Sequence, residues 1–195
     1  MSSVDDALRD LELGPIVPLF PDTKKPAAGM GWPDKALRHK HQVIAWWTAH
    51  PGANHGILCE GLAVLDVDVK DARMNGMESL DTLKKQKRDL PATRVVETAS
   101  GGAHYYYRAP RGGVATKVNF LPGLERRALN AQTVGAGSVV DGSTYRSFRP
   151  SRSRTRRRGS STIRCWTSFA EHGAKLTTKR KVWPPSIEQR AIRGG

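Results

Sequence analysis

The run Leu62, Ala63, Val64, Leu65, Asp66, Val67, Asp68 and Val69 constrains this chain more than any other segment. Its apolar and β-branched residues, entered from Gly61, read as a β-strand that is buried along most of its length, which commits the chain to a sheet. Side chains at i and i+2 of a strand share a face, so Asp66 and Asp68 project together while Leu65, Val67 and Val69 face the other way. Two ionised carboxylates held that close repel one another, and a divalent cation is the usual remedy. An isolated pair of this kind is more often a solvated strand end. Its place at the end of a buried strand, upstream of a turn rich in glycine and ending in histidine, reverses that balance.

The turn comprises Thr98, Ala99, Ser100, Gly101, Gly102, Ala103 and His104, followed by Tyr105, Tyr106 and Tyr107. Glycines there let the backbone approach a phosphate closely, because no side chain stands in the way. A carboxylate pair beside such a turn is the equipment of metal-dependent phosphoryl or nucleotidyl transfer. His104 taken alone reads as a satisfied structural histidine, and the Ser100-Gly101-Gly102 before it weighs against that. The three tyrosines are expected to alternate between core and surface.

Around these segments the chain reads as a mixture of short elements. Residues 4–13 suit a short helix, and residues 14–20, with Pro15 and Pro18, an extended edge strand. Pro21 to Pro26 is a basic turn carrying Lys24 and Lys25, and Gly29 to Pro33 is a further loop. From His41 to His50 the spacing of Val43, Ile44, Trp46 and Trp47 predicts a helix that ends before Pro51, with the tryptophans used for packing. Asn54 to Leu58 is a short strand, expected to pair as a hairpin with Leu62 to Val69 across Glu60 and Gly61. Gly76 to Arg88 is an amphipathic helix, with Met77, Leu80 and Leu83 on one face and Lys84, Lys85 and Lys87 opposite. Arg94 to Glu97, Tyr105 to Tyr107, Val118 to Leu121 and Gln132 to Val134 are strand candidates, and Val139 to Gly142 signals a turn. Strands broken by a helix and joined by hairpin-type connections argue for an α/β or α+β sheet domain.

The 195 residues suffice for one well-cored domain with an appendage. Net charge is +14, but residues 1–145 carry 18 Lys and Arg against 16 Asp and Glu, whereas residues 146–195 carry 14 against 2. The excess belongs to the tail, and bulk charge says nothing of the acid-bearing region's own affinity for nucleic acid. From Ser147 through Arg158 the tail lacks apolar periodicity, and poor order is expected from residue 146 onward. Two origins fit its composition: a basic arm that engages phosphates without sequence preference, or a change of reading frame near Tyr145. No apolar run approaches the roughly 20 residues needed to cross a bilayer, and the acidic start is unlike a signal peptide, so a cytoplasmic protein with no membrane partner is expected. Cys59 and Cys165 stand alone, which argues against a zinc site or a disulfide scaffold.

Between Ala7 and Tyr145 short motifs follow one another in a set order: Pro18-Leu19-Phe20, Lys25-Pro26, Gly31-Trp32, Trp46-Trp47, Pro51 with Asn54 to Ile57, Leu65 to Asp68, Leu90 to Thr93, Thr98 to His104, and Gly135 to Tyr145. The series resembles the bifunctional DNA primase/polymerase N-terminal domain of the archaeo-eukaryotic primase superfamily. The resemblance implies that Asp66 and Asp68 are catalytic and bind metal. It also implies that Ser100, Gly101, Gly102 and His104 contact a nucleotide's triphosphate. Lys24, Lys25 and Arg127 are candidates for further phosphate contacts, although surface Lys and Arg need no special explanation. A third acid is expected in a Gly-apolar-Asp-x-Arg segment. Here Gly123, Leu124, Glu125, Arg126 and Arg127 keep the carboxylate but set it one methylene further out. Metal distances tolerate little change, so Glu125 bears on rate or on metal choice.

The implied fold is an α/β (α+β) domain, residues 1–145, whose antiparallel sheet is similar to an RNA-recognition-motif core, preceded by an N-terminal αβ element and followed by a basic, poorly ordered or aberrant tail, residues 146–195. The implied activity is nucleotidyl transfer dependent on Mg2+ or Mn2+, held by Asp66, Asp68 and Glu125. It makes or extends primers on a DNA template from nucleoside triphosphates, in replication of a phage, plasmid or prophage, beside a separately encoded replicative helicase. Two alternatives stay open: a truncated, inactive nucleic-acid-binding remnant, and a metal-dependent nuclease or phosphohydrolase using the same acids.

Overall fold

A computed structural model describes residues 2–27, 33–71, 73–86 and 90–148. The motif Gly31-Trp32, the last turn of the expected helix at Lys87 and Arg88, and the tail from residue 149 lie outside them. In chain order the elements are α1 (Val4–Asp10), β1 (Ile16–Leu19), α2 (Lys40–Ala49), β2 (Asn54–Leu58), β3 (Leu62–Val67), α3 (Gly76–Lys85), β4 (Arg94–Glu97), β5 (Ala103–Arg108), β6 (Lys117–Leu121), β7 (Leu124–Arg127), β8 (Gln132–Val134), β9 (Val139–Val140), β10 (Ser143–Thr144) and β11 (Arg146–Phe148). The fold is mixed α+β, with antiparallel sheets and few helices.

The larger sheet has six strands in the order β11, β4, β5, β3, β7, β6, each antiparallel to its neighbours. A second has β2 between β1 and β8, and β9 pairs with β10 in a two-stranded ribbon. All six residues of β3 are buried, because this strand is covered on both faces. Leu62 and Val64 pack in one core with Val17, Ile57 and Val134 of the three-stranded sheet. Ala63, Leu65 and Val67 pack in another with Leu80 and Leu83, the apolar face of α3. Fully burying a side chain such as Val64 or Leu65 is worth about 1.5–3 kcal/mol, so β3 anchors both cores. The same two-sided cover buries Tyr106 on one face and Tyr107 on the other, where the sequence suggested that one face would be exposed.

The hairpin expected between β2 and β3 does not form. Both edges of β2 are taken by β1 and β8, and both edges of β3 by β5 and β7. Between them Glu60 N–H donates to Leu58 O at 2.8 Å and Gly61 adopts φ +70, which turns the chain out of one sheet and into the other. Order also continues past residue 145. Arg146 pairs with Glu97 and Ser147 with Val96, so β11 adds an exposed edge strand with opposite charges facing across the ladder.

A buried polar network ties α1 to the sheets. Ser3 caps the helix with a capping box to Asp6, and at the other end Asp10 is fully buried. Its carboxylate accepts from Ala136 N–H at 3.2 Å, from the Arg94 guanidinium, and from His55 Nε2 at 2.9 Å. Ser2 Oγ lies 2.6 Å from His55 Nδ1, so a hydroxyl donated there leaves the ring proton on Nε2 for Asp10. Asp10, His55 and Ser2 thereby have partners inside the fold, whereas Arg94 Nε is buried without one among the described residues.

Candidate active site

Asp66 on β3 stands in register with His104 on β5 and with Glu125 on β7. Residues directly opposite on antiparallel strands share a face, so His104, Asp66 and Glu125 form a row across the sheet. Asp68 follows just beyond the end of β3, on the same side as Asp66. Its backbone is held there by two bonds of 2.8 Å, one from its N–H to Gly123 O and one from Gly76 N–H to its carbonyl. A Cβ on Gly76 would lie 2.3 Å from Gly123 O, so the start of α3 and the β6–β7 turn close on Asp68 only because glycine stands at both points. The outcome is that one carboxylate oxygen each from Asp66, Asp68 and Glu125 lie within 4.8 Å of one another.

Asp66 and Glu125 are buried, Asp68 is partly exposed, and all three lie among cations. Arg127 Nε is 3.1 Å from Asp66 Oδ2, and Arg127 Nη2 is 2.8 Å from Glu125 Oε2. Lys70 Nζ is 3.2 Å from Asp68 Oδ2. Asp66 Oδ1 is buried without a hydrogen-bond partner among the described residues, with His104 Nε2 3.5 Å away. Burial pushes the Glu125 carboxyl above the usual carboxylate range, Arg127 pulls it back, and the negative charges of Asp66 and Asp68 add to the rise. Burial holds His104 below its ordinary value of 6.5, against the opposing pull of Asp66. Its imidazole is therefore neutral near pH 7. Tyr106 Oη, 3.0 Å from Thr133 Oγ1, is also 3.5 Å from His104 Nδ1, and a proton donated there would leave Nε2–H facing Asp66.

Three convergent carboxylates with one orphaned buried oxygen form an all-oxygen donor set, which suits a hard divalent cation such as Mg2+ or Mn2+. Beside them opens a cavity of about 480 Å3, bounded by Asp66, Asp68, Ser100, His104, Lys24 and Tyr145. That volume lies within the range of small-molecule sites.

The sequence-predicted residues divide on inspection. Asp66, Asp68, Ser100, His104 and Arg127 line the cavity, and Glu125 joins the acids. Gly101 and Gly102 shape the turn. Gly101 N–H donates to Thr98 O at 3.1 Å and Gly102 N–H to Thr98 Oγ1 at 3.0 Å, so both amides are already committed. A Cβ on Gly102 would sit 2.0 Å from Val67 O, which makes close strand approach the reason for glycine there. Lys24 lines the cavity and Lys25 does not. Lys25 O accepts from Phe20 N–H at 2.9 Å across this turn. Sequence reasoning passed over Lys70, Thr98 and Tyr145. Spacing two beyond Asp68 was the available signal for Lys70, and the place of Thr98 and Tyr145 at motif ends for the others.

The site thus aligns acids and a histidine across an antiparallel sheet beside a cavity, with three carboxylates placed so that they could hold a metal ion. Residues 9–160 match the family of bifunctional DNA primase/polymerase N-terminal domains, and the chain belongs to that family. Membership implies DNA primase/polymerase-type nucleotidyl transfer in general, with DNA and nucleotides as substrates and dependence on metal. No curated protein matches the chain. No helix among the described residues is long and apolar enough to cross a membrane.

Proposed function

We propose that this protein makes or extends strands on a DNA template from nucleoside triphosphates, with Asp66, Asp68 and Glu125 as the catalytic acids. The observation that carries this reading is the convergence of their carboxylate oxygens within 4.8 Å, next to the cavity that holds Ser100 and His104. These acids would hold Mg2+ or Mn2+, which when bound lowers the pKa of an attacking hydroxyl and stabilises charge on the reacting phosphate.

The remaining work falls to the chain's own groups. Neutral His104 offers Nε2–H, and Ser100 its hydroxyl, to phosphate oxygens at the cavity wall. Lys24 and Arg127 bring positive charge to the same space, where a triphosphate's negative charge is least solvated. Tyr145 is almost fully buried, and burial raises its phenol pKa, so it stays a neutral donor at the wall. Because β3 is locked between β5 and β7, the acids are preorganised rather than gathered at the moment of reaction. In this reading residues 1–145 are the catalytic unit, and β11 extends its sheet.

The test is product identity. The full chain is incubated with primed single-stranded DNA, labelled deoxynucleoside or ribonucleoside triphosphates, and Mn2+ or Mg2+. Strand lengthening directed by the template, with release of pyrophosphate, supports the proposal. Shortening of the DNA, or release of orthophosphate without lengthening, would overturn it in favour of a nuclease or phosphohydrolase.

A further inference from the structure

Each carboxylate of the site already holds a cation belonging to the protein. Arg127 spans Asp66 Oδ2 at 3.1 Å and Glu125 Oε2 at 2.8 Å, and Lys70 pairs with Asp68 Oδ2 at 3.2 Å. Three carboxylates against two such cations leave a small net negative charge. A divalent ion arriving alone meets acids that are largely neutralised. An ion drawn to Asp66 Oδ1, which has no partner, still meets a guanidinium that holds the other oxygen of that carboxylate and one oxygen of Glu125.

A triphosphate changes that competition. Guanidinium recognises phosphate oxygens as well as it does carboxylates, so a nucleotide in the cavity gives Arg127 a second partner. The side chain is free to take it, being 36% exposed and lining the same cavity as Lys24 and Ser100. The backbone of β7 need not move, since its register to β3 fixes Glu125 independently of where the guanidinium points.

We propose that Arg127 is the resident counter-ion of the acids and is handed from Asp66 and Glu125 to the triphosphate, so that metal and nucleotide bind as a coupled pair. This rests on reading the site as one for metal and nucleotide. Coupling of this kind is reciprocal: the factor by which nucleotide raises metal affinity equals the factor by which metal raises nucleotide affinity. Arg127 acts here as a positioning residue that sets the order and linkage of binding.

The experiment reads binding rather than turnover. Mn2+ alone is titrated into the full chain and followed by loss of the free-ion electron paramagnetic resonance signal, for wild type, Arg127→Gln, Arg127→Lys and an Asp66→Asn/Asp68→Asn variant. Folding of each is checked by circular dichroism. Arg127→Gln is expected to bind Mn2+ about tenfold more tightly than wild type, within the usual range of such couplings. Arg127→Lys, a point charge that cannot bridge both acids, is expected to fall between, and it decides the matter if the Gln variant fails to fold. In parallel, anisotropy of a fluorescent nucleotide should show a smaller enhancement by Mn2+ in Arg127→Gln than in wild type. Unchanged or weaker Mn2+ binding in the Arg127 variants, with binding lost in the Asp66/Asp68 variant, would overturn the proposal and leave the metal site standing. Undiminished Mn2+ binding in the Asp66/Asp68 variant would instead overturn the reading of the site itself.

Discussion

Asp66 and Glu125 stand directly opposite one another on neighbouring antiparallel strands, and that register places the third acid beside the pair at the end of β3. A slip of β7 by one residue would send Glu125 to the opposite face. Neighbours on both sides prevent it. Leu124 is fully buried in the core that α3 covers, and Arg126 donates from Nε to Ala115 O at 2.8 Å.

Removing the charge of Glu125 while keeping its volume therefore tests its contribution without disturbing the sheet. Glu125→Gln is expected to weaken Mn2+ binding by on the order of 10–100-fold, the scale seen when support for a metal site is removed. Calorimetric titration checks this, and thermal unfolding in EDTA should show the fold retained.

Gly102 and Gly101 predict contrasting costs for the same substitution. Gly102→Ala forces a Cβ against Val67 O, 2.0 Å away, and should destabilise by about 1–3 kcal/mol or more while pushing β5 from β3. Gly101→Ala meets nothing within 4 Å, but its φ of +79 carries a cost of about 1–2 kcal/mol for a residue with a side chain. Urea unfolding of both should show the larger loss at Gly102. Metal affinity should fall in that variant alone, because His104 and Asp66 sit on the strands it separates.

Much of this was legible in the sequence, and the reasons differ by residue. The parity of Asp66 and Asp68, the buried character of β3 and the apolar face of α3 follow from local periodicity. The partners of β2 and β3 do not, because an apolar strand carries the same pattern whichever sheet it joins. The fate of the Gly101 and Gly102 amides depends on Thr98 folding back over its own turn, which a glycine-rich motif does not announce. The choice of Lys24 over Lys25 depends on the register of one turn. The union of Ser2, Asp10, His55 and Arg94 joins distant segments, and nothing local in any of them marks it.

That union carries its own prediction. Asp10→Ala leaves Arg94 and His55 without their buried acceptor and should cost about 3–5 kcal/mol in chemical denaturation. Asp10 does not line the cavity beside the three acids, so the folded variant should bind Mn2+ as wild type does.

His104 gives a pH dependence whose sign is fixed by burial. Its pKa lies below 6.5 in the fold, so the unfolded chain takes up a proton first as pH falls. Its contribution to stability is complete above about pH 6.5 and is lost below that value, by at most about 1.4 kcal/mol per pH unit. Urea titrations in EDTA at pH 7.5, 6.5 and 5.5 should show a steeper loss for wild type than for His104→Gln.

The most direct measurement of the central claim is template-directed elongation by the full chain in Mn2+, with the Asp66→Asn/Asp68→Asn variant and an EDTA control alongside. The carboxylate site predicts elongation in wild type that falls at least ~100-fold in the variant and stops in EDTA. Elongation that persists in either the variant or the chelator would contradict it.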